Sequence, residues 1–352
     1  MTNKPFYDPA KTYEENYTQG PFGDFADPPS SKNFERASGK VIPFGIAAGP
    51  LINSKFIKAA FDKGFDLCVY KTVRSDEYPC HPFPNVLAVH PGIKLTFEKA
   101  QSEPLVADVD YTQPLSITNS FGVPSKAVKE WQEDARKAIS YAHPGQTMIM
   151  SCMGTVREGQ SQNDFIDDYI LAAKMVMEIK PKMLEINLSC PNIGNEGLVC
   201  YNIDVTEKVT SGIRAIIGTT PLILKIGYYK DHEQLKTLAQ IAEKYAQTIS
   251  AINTIQATVL NEKGEQALPG KMRLRSGICG SSIKWAGLEM TKHLYDLRKD
   301  LKANYQICGV GGVMTANDYH EYMEAGADIV MSATGAMWNP RLAIEIKEEA
   351  RK

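Results

Sequence analysis

Several features that would assign this chain to a class are missing. No apolar run approaches the roughly 18 residues a membrane-spanning helix needs. Lys and Arg form no block and the formal net charge is -2, so the clustered basic surface that nucleic acid requires is lacking. The seven cysteines (Cys68, Cys80, Cys152, Cys190, Cys200, Cys279 and Cys308) include no Cys-x-x-Cys pair. Their odd number and scattered spacing argue against a disulfide framework, a structural zinc or an in-chain iron–sulfur cluster. The six histidines are scattered as well, so no metal is expected. The N-terminus, MTNKPFYDPAKTYEENYTQG, has no apolar signal core, and the expectation is a cytoplasmic protein with no membrane or nucleic-acid partner.

What is present is a globular composition, 43% hydrophobic and 23% charged, over 352 residues. Residues 1–40 are rich in Pro, Gly, Asp and aromatics, show no helical period, and read as an N-terminal extension: an extended arm or tail, with a lid as the alternative. From Val41 on, short apolar runs at 44–48, 67–71, 147–152, 183–188, 221–226, 249–254, 305–309 and 328–331 alternate with helical patterns. Those helices are expected at 53–63, 126–141, 163–180, 204–217, 232–247, 283–302, 315–325 and 339–350. Strand–helix alternation implies a parallel sheet, and eight units imply a closed (β/α)8 barrel over 41–352. An open doubly wound sheet is the runner-up, but GIAAGPLINS after the first run does not match G-x-G-x-x-G. The stretches 73–125 and 255–282 exceed simple connections and predict lids, binding loops or a small added sheet.

Such barrels do their chemistry at the C-terminal ends of the strands. There the sequence places Ala48-Gly49, Lys71-Thr72, Ser151-Cys152, Asn187 to Asn192, Lys225, Asn253-Thr254, Gly309 to Gly312 and Ser332 to Gly335. One buried Lys or Asn is usually a satisfied core group; so many on one rim point to a site. The glycine-rich ends of the last two strands suit a phosphate, because glycine lets bare N–H groups approach its oxygens. Lys225 in an apolar run must face a ligand or a partner carboxylate, since a buried unpaired charge is costly. Schiff-base chemistry and a fixed charge beside a flavin are both open readings. In NLSCPN, Asn187 and Asn192 offer amides that suit a flat ligand with amide and carbonyl edges, and Cys190 between them reads as reactive. Cys68, Cys152, Cys279 and Cys308 read as packing residues.

These segments resemble the dihydroorotate dehydrogenase family. The resemblance rests on NLSCPN at 187–192, AAG at 47–49, YKT at 70–72, NSFG at 119–122, LKIG at 224–227, INT at 252–254, GICG at 277–280, GVGG at 309–312 and Thr334-Gly335. Cysteine at 190 resembles the soluble branch of the family; the membrane-bound branch has serine there. The resemblance implies non-covalent FMN and a homodimer. It implies oxidation of dihydroorotate to orotate in pyrimidine biosynthesis, with a proton passing to Cys190 and hydride to flavin N5. It assigns Lys71, Asn119, Asn187, Asn192, Asn253, Thr254 and the backbone of Phe121, Gly122 and Val123 to the substrate. It assigns Ala48, Gly49, Lys71, Thr72, Asn187, Lys225, Gly280, Gly311, Gly312, Thr334 and Gly335 to the flavin. Fumarate is the first expectation for the acceptor, with NAD through a separate subunit or another soluble acceptor as alternatives. The chain departs from the family at the arm, in IGNEGLVCYN after NLSCPN, in KTVRSDEYPCHPFPN at 71–85, and in having Thr254 for a more usual Ser. The competing readings are a related FMN barrel acting on a dihydrouracil-type substrate, a Schiff-base aldolase using Lys225, and a non-catalytic binding protein.

Overall fold

A computed structural model describes residues 5–25, 43–92, 94–189, 198–271 and 273–349. Among these described residues thirteen strands run in chain order: β1 Phe44–Ile46, β2 Leu67–Val69, β3 Val86–Val89, β4 Leu105–Asp108, β5 Ser116–Asn119, β6 Thr147–Cys152 and β7 Leu184–Asn187, then β8 Leu222–Ile226, β9 Thr248–Ala251, β10 Ile255–Leu260, β11 Arg275–Gly280, β12 Gln306–Val310 and β13 Ile329–Ser332. The helices are α1 Tyr13–Gln19, α2 Ser54–Asp62, α3 Phe97–Ser102, α4 Val128–Ser140, α5 Gln162–Met177, α6 Ile203–Ile217, α7 His232–Tyr245, α8 Lys284–Asp300, α9 Ala316–Glu324, α10 Thr334–Trp338 and α11 Leu342–Glu349.

Eight parallel strands close in the order β1-β13-β12-β9-β8-β7-β6-β2, which is the expected (β/α)8 barrel. Inside it Leu67, Val69, Ile149, Ile223, Cys308, Val310, Ile329 and Met331 pack together as an apolar plug. Side chains alternate along a strand, so the outer face of the same strands meets the helices. In α4, Trp131, Gln132, Ala135 and Ala138 are buried at the spacing of one helical face. Helix starts follow local chemistry. Ser161 with Asp164 and Thr315 with Asp318 form capping boxes that open α5 and α9.

The two long excursions meet. Strands β3, β4 and β5 from the first join β10 and β11 from the second in a second small sheet, ordered β10-β11-β5-β3-β4 and closed on itself. Val86, Ile117, Asn119 and Cys279 of that sheet line one cleft together with the barrel's strand ends, so the sheet overhangs the barrel rim.

Two expectations change. The arm is not wholly extended: Thr12 and Glu15 form a capping box that opens α1. Its buried Phe6, Tyr7 and Phe25 pack onto the body, with Phe6 and Phe25 rings 4.4 Å apart and the Phe6 N–H donating to the Met337 carbonyl at 3.0 Å. The expected helix at 339–350 begins only at Leu342, as α11, after Asn339-Pro340, and a short helix that was not expected, α10, precedes it; proline has no N–H to continue a helical ladder through 340. Among the described residues, no helix is long and apolar enough to cross a membrane.

Candidate active site

The strand ends of the barrel and the overhanging small sheet line one common cleft. Ala48, Gly49, Lys71, Thr72, Asn119, Phe121, Gly122, Val123, Asn187, Lys225, Asn253, Thr254 and Thr334 all line it. A smaller recess carries Gly280, Gly311, Gly312 and Gly335 and shares Asn253, Cys279, Val310, Ala333 and Thr334 with the cleft. Thus one rim gathers every sequence-derived site residue within the described segments. Cys190 and Asn192 lie outside the described residues.

The amides form a connected set. Asn253 Nδ2 donates to Ser189 Oγ at 2.9 Å and to the Ser189 carbonyl at 3.2 Å. The Ser189 N–H in turn donates to Asn187 Oδ1 at 3.2 Å, and the Tyr169 hydroxyl donates to the Asn187 carbonyl at 2.8 Å. The start of NLSCPN is therefore anchored to helix α5 through Tyr169 and to the segment after β9 through Asn253. Thr254 Oγ1 is buried and has no hydrogen-bond partner among the described residues. A buried hydroxyl without a partner is costly, so a ligand atom that completes it is favoured.

Lys225 is buried, and the predicted partner carboxylate is Glu185, itself buried. Lys225 pairs in register with Asn187, two residues beyond Glu185 on the adjacent strand. Burial pulls the Lys225 ammonium below the usual lysine range, and Glu185 opposes that shift. Burial likewise raises the Glu185 carboxyl, opposed by Lys225 and by the Ser151 hydroxyl, which donates to it at 2.9 Å. Ser151 also lies 3.0 Å from Thr72 Oγ1, so a polar row crosses the barrel floor beneath the cleft. The sequence reading missed Glu185, although an acid inside the apolar run MLEINL was a usable signal.

The recess shows why its glycines are glycines. At Gly312 (φ +67) a Cβ would lie 2.8 Å from the backbone of Lys284, and at Gly335 one would lie 2.2 Å from the Val313 carbonyl. The N–H groups of Gly312, Thr334 and Gly335 meet no acceptor among the described residues. Bare N–H donors at a close backbone approach suit phosphate oxygens.

The sequence reading also missed other lining residues. Tyr7 comes from the arm, and Val86, Ile117, Ile252 and Met337 give the cleft an apolar side. Cys279, read as a packing residue, lines both the cleft and the recess, and Asn119 Nδ2 donates to its sulfur at 3.5 Å. Burial raises the Cys279 thiol above its usual range, so it stays protonated.

Residues 98–352 match the family model described as dihydroorotate dehydrogenase. A dihydroorotate dehydrogenase from Dictyostelium discoideum is 35% identical over 368 residues, covering 97% of this chain and 96% of the relative. The chain belongs to the dihydroorotate dehydrogenase family. It is similar as well to the catalytic subunit of dihydroorotate dehydrogenase B (NAD(+)) from Brachyspira hyodysenteriae, 26% identical over 66% of this chain and 71% of that one. A "Probable dihydroorotate dehydrogenase A (fumarate)" from Streptococcus pneumoniae is 26% identical over 68% and 72%. Dihydroorotate dehydrogenases are oxidoreductases acting on CH–CH donors and carry a flavin, and the site fits one. Lys225 lines the cleft, and the glycine recess with its bare N–H groups opens off it. Family membership sets the aldolase reading of Lys225 aside.

Proposed function

We propose that this enzyme oxidises dihydroorotate to orotate with FMN as its cofactor, in the cytoplasm, as a homodimer, in pyrimidine biosynthesis. The observation that carries the reading is the single cleft in which Lys71, Asn119, Asn187, Asn253 and Thr254 face the same space. Bound FMN supplies the hydride acceptor. Gly280, Gly311, Gly312, Thr334 and Gly335 would hold its phosphate end, and Ala48, Gly49, Thr72, Asn187 and Lys225 its ring.

The chain's own groups then divide the work on the substrate. Lys71 and the backbone of Phe121 to Val123 hold the carboxylate, a pairing of cation and N–H donors with an anion. Asn119, Asn187, Asn192 and Asn253 match the ring amides, since each both donates and accepts. Cys190 removes the proton at ring carbon 5. Among the described residues no Asp or Glu lines the cleft, which favours an anionic substrate over a neutral dihydropyrimidine. Fumarate is the proposed acceptor; NAD would require a partner carrying its own cluster.

Steady-state turnover of dihydroorotate and of dihydrouracil, each with fumarate, tests the reading. It predicts turnover of dihydroorotate with at most a trace for dihydrouracil; the reverse preference refutes it.

A further inference from the structure

The loop that forms one wall of the cleft is held in an unusual backbone state. Gly122 has φ +75 and Val123 has φ +54, the latter in a region that β-branched residues seldom occupy. What fixes it is Arg74, which is only 5% exposed. Its Nη2 donates to the Gly122 carbonyl and its Nε to the Val123 carbonyl, each at 2.9 Å. Its Nη1 donates to the Gly154 carbonyl at 3.2 Å and to Thr155 Oγ1 at 3.1 Å, beyond the end of β6. The guanidinium also lies 4.1 Å over the Tyr78 ring. Beside it, the backbone N–H of His81 donates to the Phe121 carbonyl at 3.0 Å.

Two consecutive carbonyls, of Phe121 and Gly122, are therefore drawn away from the cleft by His81 and Arg74. In a trans peptide the N–H points opposite to its C=O. The N–H groups of Gly122 and Val123 are thereby turned the other way, and neither meets an acceptor among the described residues. Both residues line the cleft. Lys71 is there too, with its ammonium 5.6 Å from the Phe121 ring.

We propose that Arg74 is the positioning residue of the carboxylate-binding loop: it locks the peptide between Gly122 and Val123 so that the Val123 N–H faces the substrate's carboxylate. This rests on the function proposed above. Arg74 does not touch the substrate; it acts through the loop, and its bidentate hold on two carbonyls is something a lysine cannot reproduce.

The test uses the FMN-loaded protein and its visible spectrum, which shifts when orotate binds beside the flavin. Arg74→Lys and Arg74→Ala are each titrated with orotate, and FMN affinity is measured separately by fluorescence on the apo-protein. Losing one hydrogen bond to a charged acceptor weakens orotate at least about tenfold. FMN affinity changes less than about twofold, and millimolar guanidinium restores orotate binding to Arg74→Ala by occupying the vacated space. Unchanged orotate affinity in both variants overturns the inference. So does a parallel loss of FMN and orotate binding that guanidinium does not restore, because that outcome marks general support of the fold. Wild-type protein that binds FMN but no orotate removes the proposed function, and this inference with it.

Discussion

Replacing Glu185 by Gln isolates the buried charge pair beneath the cleft. The two side chains are nearly isosteric, and Gln keeps an oxygen to accept the Ser151 hydrogen bond. What is lost is the counter-charge to Lys225. Adjacent strands lie about 4.8 Å apart, and Glu185 is two residues below the residue paired with Lys225. Charge centres roughly 5–8 Å apart at an effective dielectric of about 20 attract by about 2–3 kcal/mol. Breaking a buried pair by removing one partner has a comparable effect. We expect the apo-protein of the variant to be less stable by about 2–3 kcal/mol at pH 7 in urea unfolding followed by tryptophan fluorescence. The pH dependence follows from Lys225, whose folded-state pKa lies below its ordinary value because of burial. The unfolded chain then binds more protons than the folded one between those two values, so stability rises with pH across that window. Removing Glu185 lowers the folded value further and widens the window downward. The deficit of the variant is therefore largest near neutral pH and shrinks as pH rises towards the ordinary lysine value. A variant as stable as the wild type at pH 7, or more stable, refutes the reasoning: Lys225 would be neutral and Glu185 an uncompensated buried acid.

Three further outcomes are expected. Cys190→Ala retains FMN and loses nearly all turnover, while wild-type turnover rises with pH towards the thiol's ordinary pKa of about 8.5, as for a base used below its pKa; substantial turnover in the variant removes Cys190 as the base. Gly312→Ala forces a Cβ to within 2.8 Å of the Lys284 backbone at φ +67, and about 1–2 kcal/mol of strain weakens FMN roughly tenfold in a fluorescence titration; unchanged affinity argues against the recess as the phosphate site. Lys71→Met lowers kcat/KM for dihydroorotate by about ten- to a hundredfold, the value of a charge-assisted hydrogen bond, with FMN still bound; an unchanged kcat/KM places the carboxylate elsewhere.

The barrel was legible because its strands are apolar runs separated by amphipathic helices, and the strand ends could then be read off as a rim. The same logic failed where the signal was a single residue against its background. Glu185 is one acid within an apolar strand: MLEINL marks it as unusual, but only the register that sets it diagonal to Lys225 shows what it does. Arg74 sits in the segment at 71–85 that departs from the family, and only the folded chain shows it reaching carbonyls 48 and 49 residues away. The helix α1 is seven residues long, too short to show a period, though its Thr12–Glu15 capping box was in the sequence. Tyr7 reaches the cleft through docking of the arm beside α10, which no local pattern encodes. Cys279 looked like filler because β11 is a strand of the added sheet, whose end was not known to overhang the rim.

The most direct test of the account is the reductive half-reaction. Dihydroorotate is added without oxygen to the FMN-loaded protein, and the flavin absorbance near 450 nm is followed on the order of seconds to minutes, ample for turnover at about 10 per second. The account predicts bleaching of that band and its recovery when fumarate is then admitted. A yellow protein that stays oxidised in dihydroorotate contradicts the assigned substrate, and a protein that cannot be loaded with FMN contradicts the site itself.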